Sequence, residues 1–422
     1  MMTSDIAVLN ELFRRAVQAA DPGAALARNL PADRSSPCIV VGAGKAAARM
    51  ASELERSWNG PLRGVVVVPY GFRQDCRTIE VLEASHPVPD HNGLVAARRL
   101  VSSVSGLGAD DLVIALVSGG GSALLPLPPA GMSLEDEVIL NQALLASGAP
   151  ISAMNAIRKQ VSSIKGGRLA LAAAPARVVT YVLSDVPGDD PAQVASGPTI
   201  PDLNGADEAL EYLDRYQVGA TGQTRGHVRS RADPPPMPDH PAFAAHEVHV
   251  IASARMSLVA AAGAAREFGL EPVILSDSIE GEAREAGRVM AAIAREIAVH
   301  DQPFSKPVVL LSGGETTVTL ARKGRGGRNS EFLLSLALAI DGLPGITALA
   351  ADTDGIDGTE TNAGAVASGT TVAEISKCGL NAATLLHRND SYLAFEAIDA
   401  LFETGPTGTN VNDFRAIIIR QQ

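Results

Sequence analysis

Pro37-Cys38-Ile39-Val40-Val41-Gly42-Ala43-Gly44-Lys45-Ala46-Ala47 holds the pattern that decides the fold: a short apolar run breaks into two glycines and then an alanine-rich segment. A run without polar alternation suits a strand buried on both faces, and glycines directly after it mark a tight turn into a helix. Outward from this stretch the same order returns in Gly64 to Val68, the helical Gly93 to Val104, Leu112 to Val117 and Val178 to Leu183. Buried strands alternating with helices predict an α/β fold with a Rossmann-like, mostly parallel sheet. Ile6 to Leu30, before it, repeats apolar residues at helical spacing.

Between Gly219 and Pro241 the chain is polar and rich in glycine and proline, which reads as a linker or long loop. Strand and helix patterns resume in Glu247 to Ile251, Leu258 to Phe268, Pro272 to Leu275 and Glu282 to Ile297, then in Val308 to Leu311, Ile346 to Ala351 and Phe414 to Ile419. The expected division is therefore a larger N-terminal Rossmann-like domain, 1–240, and a smaller C-terminal α/β domain, 241–422. Two domains also suit a chain of 422 residues, since single cores rarely grow beyond roughly 250 to 300 residues.

A net charge of −12 argues against a broad nucleic-acid surface and leaves any anionic ligand to a local cationic pocket. Cys38, Cys76 and Cys378 include no C-x-x-C pair, so neither a disulfide framework nor a zinc knuckle is indicated. No apolar run reaches membrane-spanning length, and Met1-Met2-Thr3-Ser4-Asp5 lacks the order of a signal peptide. The expectation is a cytoplasmic protein with no membrane partner.

In open α/β sheets ligands sit outside the carboxyl ends of the strands. There, Gly42-x-Gly44-x-x-Ala47 meets the loose dinucleotide fingerprint, but no acid ends the next strand at Val68-Pro69-Tyr70. A Walker loop fails as well, because Ile39 and Ala46 replace its first glycine and its Ser or Thr. What remains is Lys45 beside exposed backbone donors, suited to a phosphate or carboxylate. Ser118-Gly119-Gly120-Gly121-Ser122 offers a second anion cradle. Leu311-Ser312-Gly313-Gly314-Glu315-Thr316 reuses the same strand-to-glycine turn.

Ser184-Asp185-Val186-Pro187-Gly188-Asp189-Asp190 places carboxylates after a strand, as magnesium or hydroxyl partners or as ordinary turn residues. Four cations in Arg158-Lys159 and Lys165-Gly166-Gly167-Arg168 read first as solvated charge and helix-dipole compensation. Arg328, in Gly327-Arg328-Asn329-Ser330-Glu331, opens a helix, where a cation is misplaced unless an anion sits there. Asp352-Thr353-Asp354-Gly355-Ile356-Asp357-Gly358 fails as an EF-hand and leaves either a magnesium site or a metal-free turn. His86, between Ser85 and Pro87, reads as a structural loop histidine, with a catalytic role as the alternative.

Together these five motifs, from Gly42-Ala43-Gly44-Lys45 to the Asp352 loop, resemble the glycerate 2-kinase family of the class II, MOFRL-domain type, some members of which carry the label hydroxypyruvate reductase. The resemblance implies two α/β domains with the site in the cleft between them, ATP and magnesium as cofactors, and D-glycerate phosphorylated on its 2-hydroxyl. On it, Lys45 looks like the family's active-site lysine and Arg328 like the arginine from its smaller domain. Ser330 stands where glutamine is more usual, which touches only helix capping.

The expected roles are then as follows. Lys45 and Arg328 meet the developing charge, and Asp185 or Asp189 takes the hydroxyl proton or holds substrate. Gly42, Gly44, Ser118, Gly119, Gly120, Gly121, Ser122, Gly313, Gly314 and Glu315 bind the cofactor, and Asp352 and Asp354 bind magnesium. The alternatives are an NAD(P)H-dependent hydroxypyruvate reductase and a non-catalytic sugar-acid or nucleotide sensor. Oligomeric state stays open, with a homodimer among the options.

Overall fold

Val40 and Val41 point to opposite faces of one strand and neither is exposed at all, so the sheet they belong to is covered on both sides. A computed structural model describes residues 4–201, 203–320 and 324–421. Met1 to Thr3, part of the segment read above for a signal peptide, lie outside the described residues. The chain forms two compact units, one of residues 22–251 and one that joins the segment up to Asp21 to the chain from Ala252 onward.

The unit of residues 22–251 contains β1 (Cys38–Ala43), β2 (Leu62–Pro69), β3 (Ile79–Ala84), β4 (Leu112–Ser118), β5 (Arg177–Leu183) and β6 (Glu247–Ala252). Their spatial order is β3-β2-β1-β4-β5-β6, with β1 to β5 parallel. This is the Rossmann order, in which the direction of strand progression reverses between β1 and β4 and opens a crevice at their carboxyl ends. Ile39, Val41, Val113, Ala115 and Val117 pack with Leu100 and Val104 of the helix His91–Val104 into one core.

The second unit carries β7 (Glu271–Ser276), β8 (Gly281–Glu282), β9 (Val308–Gly314), β10 (Thr316–Thr317), β11 (Ile346–Asp352), β12 (Gly364–Ser368), β13 (Leu401–Phe402) and β14 (Asp413–Ile419). Six of these form a mixed sheet, β13-β12-β11-β14-β9-β7, in which only β7 and β9 pair in parallel; β8 and β10 pair separately. Val309, Leu311 and Ile418 face one core, and Leu310 and Ile417 the other. The antiparallel register sets Asp413 opposite both Gly314 and Asp352. That register brings two loops and an acidic strand end together.

The expected boundary at 240 does not coincide with these units. The helix Asp5–Ala19 lays Val8, Leu9, Leu12 and Phe13 against the mixed sheet, with Phe13 edge-on to Phe402 and Phe414. At the other end, β6 extends the Rossmann sheet beyond β5. The expected linker also contains a helix, Gly222–Ser230, whose start is capped by the Thr221 side chain accepting from Thr224 N–H. Among the described residues no helix is long and apolar enough to cross a membrane.

Candidate active site

At the β1/β4 crevice, Lys45 N–H donates to Gly119 O at 2.9 Å and Ala46 N–H to Ser118 Oγ at 3.0 Å. The two loops are thus stitched to each other. Gly44 holds φ at +126°, and a methyl group there would stand 2.3 Å from the Ser118 carbonyl oxygen, so no other residue lets them approach so closely. A methyl on Gly119 would fall 1.7 Å from Asp185 Oδ2. The Asp185 carboxylate therefore rests on the glycine loop. Gly42 packs inside the sheet against Leu116, and Gly121 against Ala195.

Gly120 faces both His86 and Lys45: a methyl on it would lie 3.2 Å from His86 Cδ2 and 3.5 Å from Lys45 Cγ. His86 thus belongs to the cluster, although its loop setting favoured a structural role. Surrounding protein, then the charges of Lys45 and Arg158, push its pKa down to about 4, while part of the ring stays open to solvent. Ser122 Oγ lies 2.8 Å from Ser196 Oγ, which donates to Asn155 Oδ1 at 2.9 Å. Asp189 sits on the short turn Pro187–Asp189 with φ at +54°, and no hydrogen bond among the described residues ties its carboxylate to Lys45 or the glycine loop.

The cations expected to be solvated are mostly buried. Lys165 Nζ donates to Glu137 Oε1 and to Leu125 O, each at 2.7 Å. Arg168 donates to the carbonyls of Lys159, Lys165 and Asp233. Half-buried Arg158 faces Asn141 and Asn155.

In the second unit Arg328 opens the helix Arg328–Ala339, and the anion its position calls for is supplied by the protein. Its Nε donates to Asp413 Oδ1 at 2.7 Å, one terminal nitrogen to Glu315 Oε1 at 2.7 Å and the other to Asp352 Oδ2 at 2.5 Å. Burial works against the Arg328 charge, but Asp413, Asp352 and Glu315 outweigh it and raise the pKa. Asp413 also accepts from Asn329 and from fully buried Arg415. The helix start itself is capped by Asp357, which accepts from Asn329 and Ser330 N–H at 2.9 Å each, while Ser330 Oγ accepts from Gly327 N–H at 3.0 Å. Gly314 holds φ at +117° against the backbone of Ile279.

Of the two acids expected to hold magnesium, Asp352 is engaged on both oxygens, by Arg328 and by Asp354 N–H. Burial, with Asp354 and Asp413 adding to it, pushes its carboxyl well above the usual range against the pull of Arg328. Asp354 accepts from Ile356 N–H on Oδ1 and only weakly, at 3.4 Å, from Asn410 on Oδ2. Among the described residues no three His, Cys, Asp or Glu side chains group to hold a metal. Asp354 alone fits a magnesium ion that takes most of its ligands from phosphate and water.

A Rossmann sheet with a lysine and a glycine loop at its switch point, joined in one chain to a mixed sheet with an acid-clamped arginine, defines a two-unit α/β protein of the phosphate-handling kind. Its relatives narrow that class. The DUF4147 model, a domain of unknown function, matches residues 8–230, and the MOFRL family model matches residues 308–413. A protein of Thermotoga maritima named D-glycerate 2-kinase is 40% identical over 405 residues, 96% of this chain and 95% of the relative. A protein of Agrobacterium vitis named as a hydroxypyruvate reductase is 49% identical over 415 residues, 98% of this chain and 94% of the relative. The crystal structure of a glycerate kinase from Thermotoga maritima superposes with a TM-score of 0.89 at 38% identity, covering 98% of each chain. The chain belongs to the glycerate 2-kinase family, a family of phosphotransferases.

Proposed function

We propose that the chain transfers the γ-phosphoryl group of ATP to the 2-hydroxyl of D-glycerate. The substrate oxygen forms the new P–O bond, the bond to the β-γ bridging oxygen breaks, and the products are 2-phosphoglycerate, ADP and the hydroxyl proton. Such a transfer needs positioning and charge neutralisation more than covalent chemistry. Lys45 and Arg328 meet the developing charge, and the Gly119 to Ser122 loop receives phosphate. Asp185, resting on Gly119, is better placed than Asp189 to accept the proton. Asp354 would hold magnesium, which neutralises phosphate charge when bound with the nucleotide. Release of Arg328 from Asp352 on nucleotide binding would free that second acid.

The observation that carries this reading is the packing of Lys45 and Gly120 at the switch point, with the names of the relatives as independent support. The reductase reading draws on the name of the Agrobacterium vitis relative. Against it, β2 ends at Pro69 and is followed by Tyr70, where a dinucleotide site needs an acid for the ribose. Coupled-enzyme assays separate the two: ADP release that depends on D-glycerate is expected, with no NADH or NADPH loss on hydroxypyruvate. Cofactor oxidation without ADP release would reverse the assignment.

A further inference from the structure

Arg158 is a guanidinium without a carboxylate. Its Nε and one terminal nitrogen donate to Asn141 Oδ1 at 3.2 and 2.7 Å, and the other terminal nitrogen donates to Asn155 Oδ1 at 3.2 Å. Other cations withdrawn from water in this chain have acids near them: Lys165 has Glu137, Arg168 has Asp233, Arg415 has Asp413, Arg328 has three, and Lys159 feels the charges of Asp190 and Glu208. Among the described residues Arg158 forms no ion pair, and the acid whose charge it feels, Glu137, is bound to Lys165. Burial accordingly pushes its pKa down to about 10. A half-buried cation paired only with neutral amides loses part of its hydration without gaining an opposite charge, which makes the arrangement informative.

The amides are themselves fixed. Asn141 Nδ2 donates to Pro87 O at 2.7 Å and Asn155 Nδ2 to Gln193 O at 2.8 Å, so both side-chain oxygens are turned to Arg158. Three hydrogen bonds use three of five guanidinium N–H groups, leaving one on each terminal nitrogen. The site continues to the glycine loop: Asn155 Oδ1 accepts from Ser196, which meets Ser122. Ser122, Glu137, Asn141, Arg158 and Lys165 also line one small cavity, in which the Glu137 carboxylate is tied to Lys165 and not to Arg158.

We infer that Arg158, held by Asn141 and Asn155, anchors the carboxylate of the acid substrate beside Ser122, a step that rests on the hydroxy-acid reading proposed above. A planar carboxylate accepts from two guanidinium nitrogens at once, and it would supply the charge that the protein withholds. The anchor then selects acids over neutral polyols and leaves nucleotide binding to other groups.

Isothermal titration of the full chain with D-glycerate and with glycerol, which lacks the carboxylate, tests this without turnover. Wild type is expected to bind D-glycerate and not glycerol, and Arg158→Met to weaken D-glycerate binding by about 10- to 100-fold, with ATP affinity unchanged. Arg158→Lys should recover part of the loss. Asn141→Asp keeps size and hydrogen bonding but presents the arginine with a carboxylate, so it should weaken D-glycerate binding without unfolding the protein. This variant decides the matter should Arg158→Met fail to fold. Undiminished D-glycerate binding in either folded variant, or equal binding of glycerol by wild type, would overturn the inference. Arg158-dependent binding without ADP release would instead spare the anchor and remove the kinase.

Discussion

The two candidate clusters treat positive charge in opposite ways. In the Rossmann unit Lys45 and Arg158 both act on the ring of His86, and Arg158 is held by the side-chain amides of Asn141 and Asn155 with no carboxylate among its hydrogen-bond partners. Around Arg328 the second unit supplies Asp413, Asp352 and Glu315. An uncompensated pocket costs stability and gains it back when an anion binds, whereas a compensated one is part of the fold before any ligand arrives. Removing charge should therefore cost function in the first region and folding in the second.

The largest effect expected from this contrast is at Asp413, whose side chain is wholly buried between Arg328 and Arg415. Asp413→Ala leaves Arg415 buried without its acid and should cost about 3 to 5 kcal/mol in denaturant unfolding. A loss near zero would mean that the acids do not hold this unit together. Next comes Lys45→Ala, expected to cut turnover at least about 100-fold while leaving the unfolding midpoint where it was. Arg328→Ala should lower both, because three carboxylates are then left to repel one another. Equal stability losses at Lys45 and Arg328 would erase the distinction between the clusters.

Much of this arrangement is legible in the sequence where the signal is local. The run Ile39-Val40-Val41 before Gly42 and the glycines after Ser118 mark strand ends, and the rule for parallel sheets then brings Lys45 and Gly119 together. β3 escapes notice because it lies at the sheet edge and carries Glu80 and Glu83, which break the apolar run. An amphipathic helix announces that one face is buried but not against what, so Asp5–Ala19 is assigned to the wrong unit. Long-range pairing is the part no window detects. Of the acids that answer Arg328, Asp413 lies 85 residues away, and of the two amides that hold Arg158, Asn155 is three residues away but Asn141 is 17 away. The neutral partners of Arg158, which make it a ligand candidate, are visible only in three dimensions.

The smallest effect is the most direct probe of the uncompensated region. His86 has a folded pKa near 4 against an ordinary 6.5, so on acidification the unfolded chain takes up a proton that the folded chain refuses. Stability is therefore unaffected by this group above about pH 6.5 and falls as pH drops from there toward 4. His86→Gln should lose less stability than wild type over that window, by a modest amount because the ring is partly solvated. Apart from that of His246, which burial also lowers, nuclear magnetic resonance titration of the eight histidines should show a depressed pKa that is absent in His86→Gln. Lys45→Ala should move that resonance upward, since Lys45 is one of the two charges acting on it. An ordinary pKa at His86, unmoved by Lys45→Ala, would mean that the cations around the glycine loop are already neutralised, and the contrast with the Arg328 cluster would disappear.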